Sequence, residues 1–122
     1  MVVLDRSSIF LQDPNPSGGK VCLLLHGLGT DSKSWVYQMK ALSDRGYRPI
    51  APDLPGFGKS KFYGRKWSVN GVTAELKDVI SEKKIEKIIL IGLSLGGVFA
   101  LRFIIDYPEF VEKAILVNTL PA

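Results

Sequence analysis

The segment Gly92-Leu93-Ser94-Leu95-Gly96 sets a serine between two glycines, after the apolar run Lys87 to Ile91 and before the apolar stretch Leu95 to Ile105. A serine hydroxyl becomes a useful nucleophile where a sharp strand-to-helix turn lifts Oγ clear of the sheet edge, and such a turn accepts only small neighbours. Gly92, Gly96 and the adjacent Gly97 meet that requirement. The following helix would aim its first, internally unpaired N–H groups at the same spot, where negative charge developing on a substrate oxygen would be stabilised. The chemistry expected is acyl transfer, with Ser94 attacking a carbonyl.

His26-Gly27-Leu28-Gly29 ends another apolar run, Val21 to Leu25, and His26 is the only histidine of the chain. Three roles are open to it: the general base for Ser94, a support that shapes its loop through hydrogen bonds to backbone, or an incidental polar residue. A histidine at a strand tip followed by glycines fits loop support best. The N–H groups of Leu28 and Leu95 would then form an oxyanion hole, worth roughly 3 kcal/mol per donor in acyl transfer. As main-chain donors they do not depend on residue type. Trp35, Phe57, Leu28 and Leu95 are candidates both for lining an acyl pocket and for plain core packing.

Gly56-Phe57-Gly58-Lys59-Ser60 ends in the Gly-Lys-Ser of a phosphate loop. The spacing rules that reading out: the motif needs a glycine five residues before Gly58, and Asp53 stands there, while Pro55 has no N–H to give to a phosphate. Asp53 is expected instead to accept hydrogen bonds from the loop it begins. No pattern calls for a metal or a cofactor.

These groups need a scaffold. Apolar runs bounded by Gly, Pro and Asp alternate with helical-period segments, the order expected of strand-helix-strand units around a parallel sheet. The fold class is α/β, doubly wound with a mostly parallel sheet. Strands are expected over Val21 to Leu25, Tyr47 to Asp53, Lys87 to Ile91 and Ala114 to Val117, with one or two short edge strands in the first dozen residues. Pro49 argues against full pairing of the second of these, because it has no N–H for a ladder bond. Asp31-Ser32 should cap a helix carrying Trp35, Met39 and Leu42 on one face, closed by Gly46. Ser68 should cap another that buries Val69, Val72, Leu76 and Val79 or Ile80, and the apolar helix Leu95 to Ile105 must be buried against the sheet.

At 122 residues and 46% apolar composition the chain can bury a modest core, which excludes a disordered chain. The single cysteine, Cys22, lies in an apolar strand and implies no disulfide. The N-terminus, Met1-Val2-Val3-Leu4-Asp5-Arg6, lacks the basic start and apolar stretch of a secretion signal, and no apolar run approaches the roughly 18 residues of a membrane span. A soluble, cytoplasmic protein is expected. The net charge of +4 comes from scattered lysines without interleaved aromatics, which points away from nucleic acid.

The motifs together, His26-Gly27-Leu28-Gly29, Asp53-Leu54-Pro55-Gly56-Phe57-Gly58-Lys59-Ser60 and Gly92-Leu93-Ser94-Leu95-Gly96-Gly97 in that order, resemble the α/β-hydrolase superfamily, and Tyr107-Pro108-Glu109 also fits. The resemblance covers nearly the whole chain. It implies a carboxylic-ester-type hydrolase of the esterase, enol-lactonase and ring-cleavage-product hydrolase group, acting on a small acyl substrate. A serine at the turn sets the chain apart from haloalkane dehalogenases and epoxide hydrolases of the superfamily, which use aspartate there. It also implies that the base follows the nucleophile in sequence, which again separates His26 from that role.

Family members continue into a cap, further strands, the triad acid and the histidine. Residues 1–122 are therefore expected to be the N-terminal part of one such domain, inactive alone and needing its C-terminal half or a complementing chain. Where some relatives carry the acid directly after the last strand, this chain has Asn118 and Thr119. Asp106, the nearest downstream acid, should lie on a helix surface.

Overall fold

In a computed structural model, residues 9–54 and 68–118 are described; the Gly56-to-Ser60 segment, Phe57 and Thr119 fall outside them. The elements are β1 (Leu11–Gln12), β2 (Val21–Leu25), α1 (Val36–Asp44), β3 (Arg48–Pro52), α2 (Val69–Glu82), β4 (Ile88–Leu93), α3 (Leu95–Asp106) and β5 (Val111–Val117). The expected strands and helices form, with β5 beginning three residues earlier than its apolar run suggested. Glu112 and Lys113 hid that start, because an edge strand tolerates charge.

The sheet order is β1-β3-β2-β4-β5, parallel except for β1, which pairs antiparallel with β3. Pro49 is accommodated without loss. Arg48 N–H donates across to Lys20 O at 2.8 Å. By alternation position 49 faces the other side of β3, where the two-residue β1 reaches only Ala51 and Pro52.

From β2 the chain steps outward to β3, then returns past β2 to β4 and on to β5. Right-handed crossovers in opposite directions put α1 on one face and α2 and α3 on the other. On the α1 face Leu24 and Ala51 are buried with Trp35 and Met39. On the other face Leu23, Leu25, Ile50 and Leu90 pack with Val72, Leu76 and Ile80 of α2 and Phe99, Ala100 and Phe103 of α3. The phenylalanines are wholly buried, and truncating either to alanine would cost about 3–5 kcal/mol.

Local signals set the helix ends. Asp31 accepts from Lys33 N–H at the 3-10 turn Ser32–Trp35 that opens α1, and Ser68 accepts from Gly71 N–H at the start of α2. Gly46, with φ +87°, closes α1 in a conformation that costs other residues dearly.

The β4–β5 half of the α1 face has no helix over it among the described residues. Ile91 and Leu93 are half-buried, and their register partners on β5, Ile115 and Val117, are 51% and 40% exposed.

Candidate active site

In a doubly wound sheet the crevice opens where neighbouring strands send their connections in opposite directions, at the strands' carboxyl ends. Here those strands are β2 and β4. His26 follows the first and Ser94 the second, so the fold brings the two sequence motifs to the same crevice.

Ser94 has φ 55° and ψ −114°, a left-handed conformation for a non-glycine residue, and makes no side-chain cap bond to α3. Two main-chain bonds hold the turn: Ser94 N–H donates to Val117 O, and Gly97 N–H to Ser94 O, each at 2.9 Å. The strain is sustained by close packing around it. A Cβ at Gly92 would lie 2.7 Å from Gly96 O, and one at Gly96 would run into the carbonyls of Leu25 and His26. Gly96 is thus required by the approach of β2 to the N-terminus of α3, and Gly92 by the first turn of α3 lying over the end of β4. Ser94 itself stays exposed.

Gly27 abuts the serine: a Cβ there would lie 3.5 Å from Ser94 Cβ. Leu95 is the first residue of α3, so its N–H has no intrahelical partner. The Leu28 side chain is 71% exposed.

The His26 ring is fully buried. Leu54 N–H donates to Nε2 at 2.9 Å. A backbone amide can only donate, so Nε2 carries the lone pair and the ring proton sits on Nδ1, which donates to Gly27 O at 2.9 Å. Both ring nitrogens are committed to backbone.

Asp53 is also buried, and its carboxylate accepts from Ser32 N–H at 2.7 Å. That donor belongs to the loop after β2; the segment that Asp53 begins lies outside the described residues. The strand-end residues Asp53 and Leu54 therefore brace the His26 loop from the β3 side.

One contributor was missed from sequence. Thr30 Oγ1 donates to Gly27 O at 2.7 Å, and Thr30 N–H reaches the same oxygen at 3.3 Å. A threonine three residues after the carbonyl it binds is the available signal, since such hydroxyls commonly bond nearby backbone.

Trp35 is buried with Leu24 and Met39, and its indole N–H has no hydrogen-bond partner among the described residues. Asp106 lies exposed near the end of α3, paired with Arg102 one turn earlier at 3.4 Å. Burial raises the Cys22 thiol pKa. Among the described residues there is no group of three or more His, Cys, Asp or Glu that could hold a metal, and no helix is long and apolar enough to cross a membrane.

A family model described as the alpha/beta hydrolase fold matches residues 20–122. The chain is 33% identical over 116 residues to a 2-hydroxy-6-oxononadienedioate/2-hydroxy-6-oxononatrienedioate hydrolase of Pseudomonas sp, covering 93% of this chain and 41% of that protein. It is 33% identical over 103 residues to epoxide hydrolase 4 of Homo sapiens, covering 83% and 28%. Among solved structures it resembles the serine hydrolase CCSP0084 of Cycloclasticus zankles at 29% identity and a TM-score of 0.87, covering 93% of this chain and 42% of that one. The chain thus spans less than half the length of these proteins. It belongs to the α/β-hydrolase family, and through that membership to a family of enzymes.

Proposed function

We propose that this chain carries the nucleophile and the oxyanion hole of a serine hydrolase acting on a carboxylic ester or a similar small acyl substrate. Ser94 Oγ attacks the carbonyl, the N–H groups of Leu28 and Leu95 receive the oxyanion, and water later releases the acyl group. The observation that carries the reading is the strained, exposed Ser94 at the head of α3, held against the Gly27 loop. A residue kept at positive φ by packing this tight is the kind of strain that marks functional turns. A serine at this position also favours acyl chemistry over the aspartate-based epoxide opening in the superfamily, despite the similarity to epoxide hydrolase 4.

His26 is assigned to loop support, because both its nitrogens are bonded to backbone. The base and acid that activate Ser94 would come from polypeptide beyond these 122 residues, seated on the β5 side of the sheet or supplied by a second chain. The exposed Ile115 and Val117 favour such a neighbour. Alone, the chain should turn over poorly, since an unassisted serine hydroxyl is a weak nucleophile.

A fluorophosphonate probe tests both parts, with the adduct mapped by mass spectrometry. Slow labelling that is selective for Ser94 over the other serines and lost in Ser94→Ala is the expected result. Labelling no faster at Ser94 than elsewhere would overturn the nucleophile. Rapid labelling of Ser94 would overturn the claim that its base lies outside this chain.

A further inference from the structure

The carbonyl of Gly27 receives three donors: His26 Nδ1–H at 2.9 Å, Thr30 Oγ1–H at 2.7 Å and Thr30 N–H at 3.3 Å. Two lone pairs do not need three donors for solvation. Such a cluster fixes the direction of the carbonyl. The Gly27–Leu28 peptide is trans and planar, so its N–H points opposite to its C=O. Whatever pins Gly27 O therefore aims Leu28 N–H away from the His26–Thr30 cluster. His26 cannot do this alone, because its ring is held from the far side by Leu54 and supplies only one of the three bonds. The shortest bond is that of the Thr30 hydroxyl, from an exposed residue with no place in either apolar cluster.

We infer that Thr30 is a positioning residue of the oxyanion hole: by binding Gly27 O, its hydroxyl holds the Gly27–Leu28 peptide so that Leu28 N–H meets the oxyanion on Ser94. The inference rests on the assignment of Ser94 and Leu28 proposed above. Thr30 touches no substrate and acts through this peptide; its hydroxyl also lies 3.4 Å from Nδ1 of His26, the other side-chain donor to Gly27 O. Valine at position 30 keeps the shape and the weaker backbone bond while removing the hydroxyl, so the turn persists with a looser peptide plane. Serine restores the donor.

Phenylboronic acid is a suitable probe for the chain as it stands, because its boron reversibly adds the serine oxygen, the serine proton passing to solvent, to give a tetrahedral boronate anion whose boron-bound oxygen mimics the oxyanion. In ¹H–¹⁵N spectra of the wild type, formation of the adduct should shift the amides of both Leu28 and Leu95 downfield, and Ser94→Ala should abolish both shifts. In Thr30→Val the affinity should fall about tenfold, with the Leu28 shift lost and the Leu95 shift kept; Thr30→Ser should return both to wild type. A merely structural role would lower the unfolding midpoint without separating Leu28 from Leu95. Thr30→Val with wild-type affinity and an intact Leu28 shift overturns the inference and leaves Ser94 as the nucleophile. A wild type that forms no Ser94-dependent adduct overturns the underlying assignment, and the inference with it. Should Thr30→Val not fold, Thr30→Ala read by the same pair of amides gives the same decision.

Discussion

Leu54 N–H donates to Nε2 of His26 across 2.9 Å, tying the end of β3 to the loop that follows β2. This bond decides the tautomer of the chain's only histidine and uses the nitrogen that a general base would need. It also places His26 inside the scaffold, so its removal should be felt as lost stability.

His26→Ala should lower unfolding stability by about 2–4 kcal/mol, because it leaves Leu54 N–H buried without a partner and opens a void. Urea titration measures the loss. Long-range ¹H–¹⁵N correlation of the wild-type ring should find the proton on Nδ1; a proton on Nε2 would contradict the Leu54 bond.

The three glycines around Ser94 should respond unequally to alanine. Gly96→Ala and Gly92→Ala drive a methyl into backbone and should cost on the order of 3 kcal/mol or more, or abolish folding. At Gly27 the added methyl meets Leu93 O at 3.4 Å and Ser94 Cβ at 3.5 Å, which is ordinary contact. Gly27→Ala should therefore stay folded, with a thermal midpoint near that of wild type, while crowding Ser94 and slowing its labelling. Equal losses at all three positions would refute this ranking.

Strain at Ser94 makes a prediction of opposite sign. Glycine adopts φ 55° freely, whereas alanine retains the penalty, so Ser94→Gly should be about 1 kcal/mol more stable than Ser94→Ala. Paired denaturation curves of the two variants read this difference directly. Alanine equal to or above glycine would mean that the turn is unstrained.

Asp13 contributes to the acid limb of stability. Burial raises its carboxyl pKa, but hydrogen bonds and charge from Arg48 and Lys83 outweigh this, and the group ends below its usual value. Arg48 is held correspondingly higher by the hydrogen bond to Asp13. The pair is bidentate at 3.1 and 2.7 Å, with side chains 16% and 14% exposed, and links β1 to β3. A depressed carboxylate contributes stability that is fully present above its unfolded-state pKa and is lost as pH falls through the folded value. Asp13→Asn should thus cost about 2 kcal/mol at pH 7, a gap that narrows below about pH 4. Urea midpoints across that range would expose a constant gap if the ion pair were not responsible.

The open half of the α1 face should bind hydrophobic dyes. Ile115→Lys removes the most exposed apolar side chain of β5 and should reduce dye binding and light scattering while changing stability by no more than about 0.5 kcal/mol. A large loss of stability would show Ile115 to be packed in solution.

Much of this molecule is legible in its sequence because the relevant forces are local. The β2 run is continuously apolar since both faces of that strand are buried, and Asp31, Ser68 and Gly46 mark helix ends through their own hydrogen bonds or φ. Gly92 and Gly96 announce the turn because nothing larger fits it. The reach of β5 back to Val111 was not legible, since an edge strand need not be apolar.

The sequence by itself determined that a serine would stand at a strand-to-helix turn, and that a histidine and glycines would end an earlier strand. Only the tertiary structure decided what those residues do to one another. The connections that leave the parallel strands β2 and β4 in opposite directions set Ser94 beside Gly27, and the carboxyl end of β3 delivers Leu54 N–H to His26 and the Asp53 carboxylate to Ser32. These pairs lie 21 to 67 positions apart in the chain, so their hydrogen bonds and contacts exist only once the sheet has aligned its strand ends.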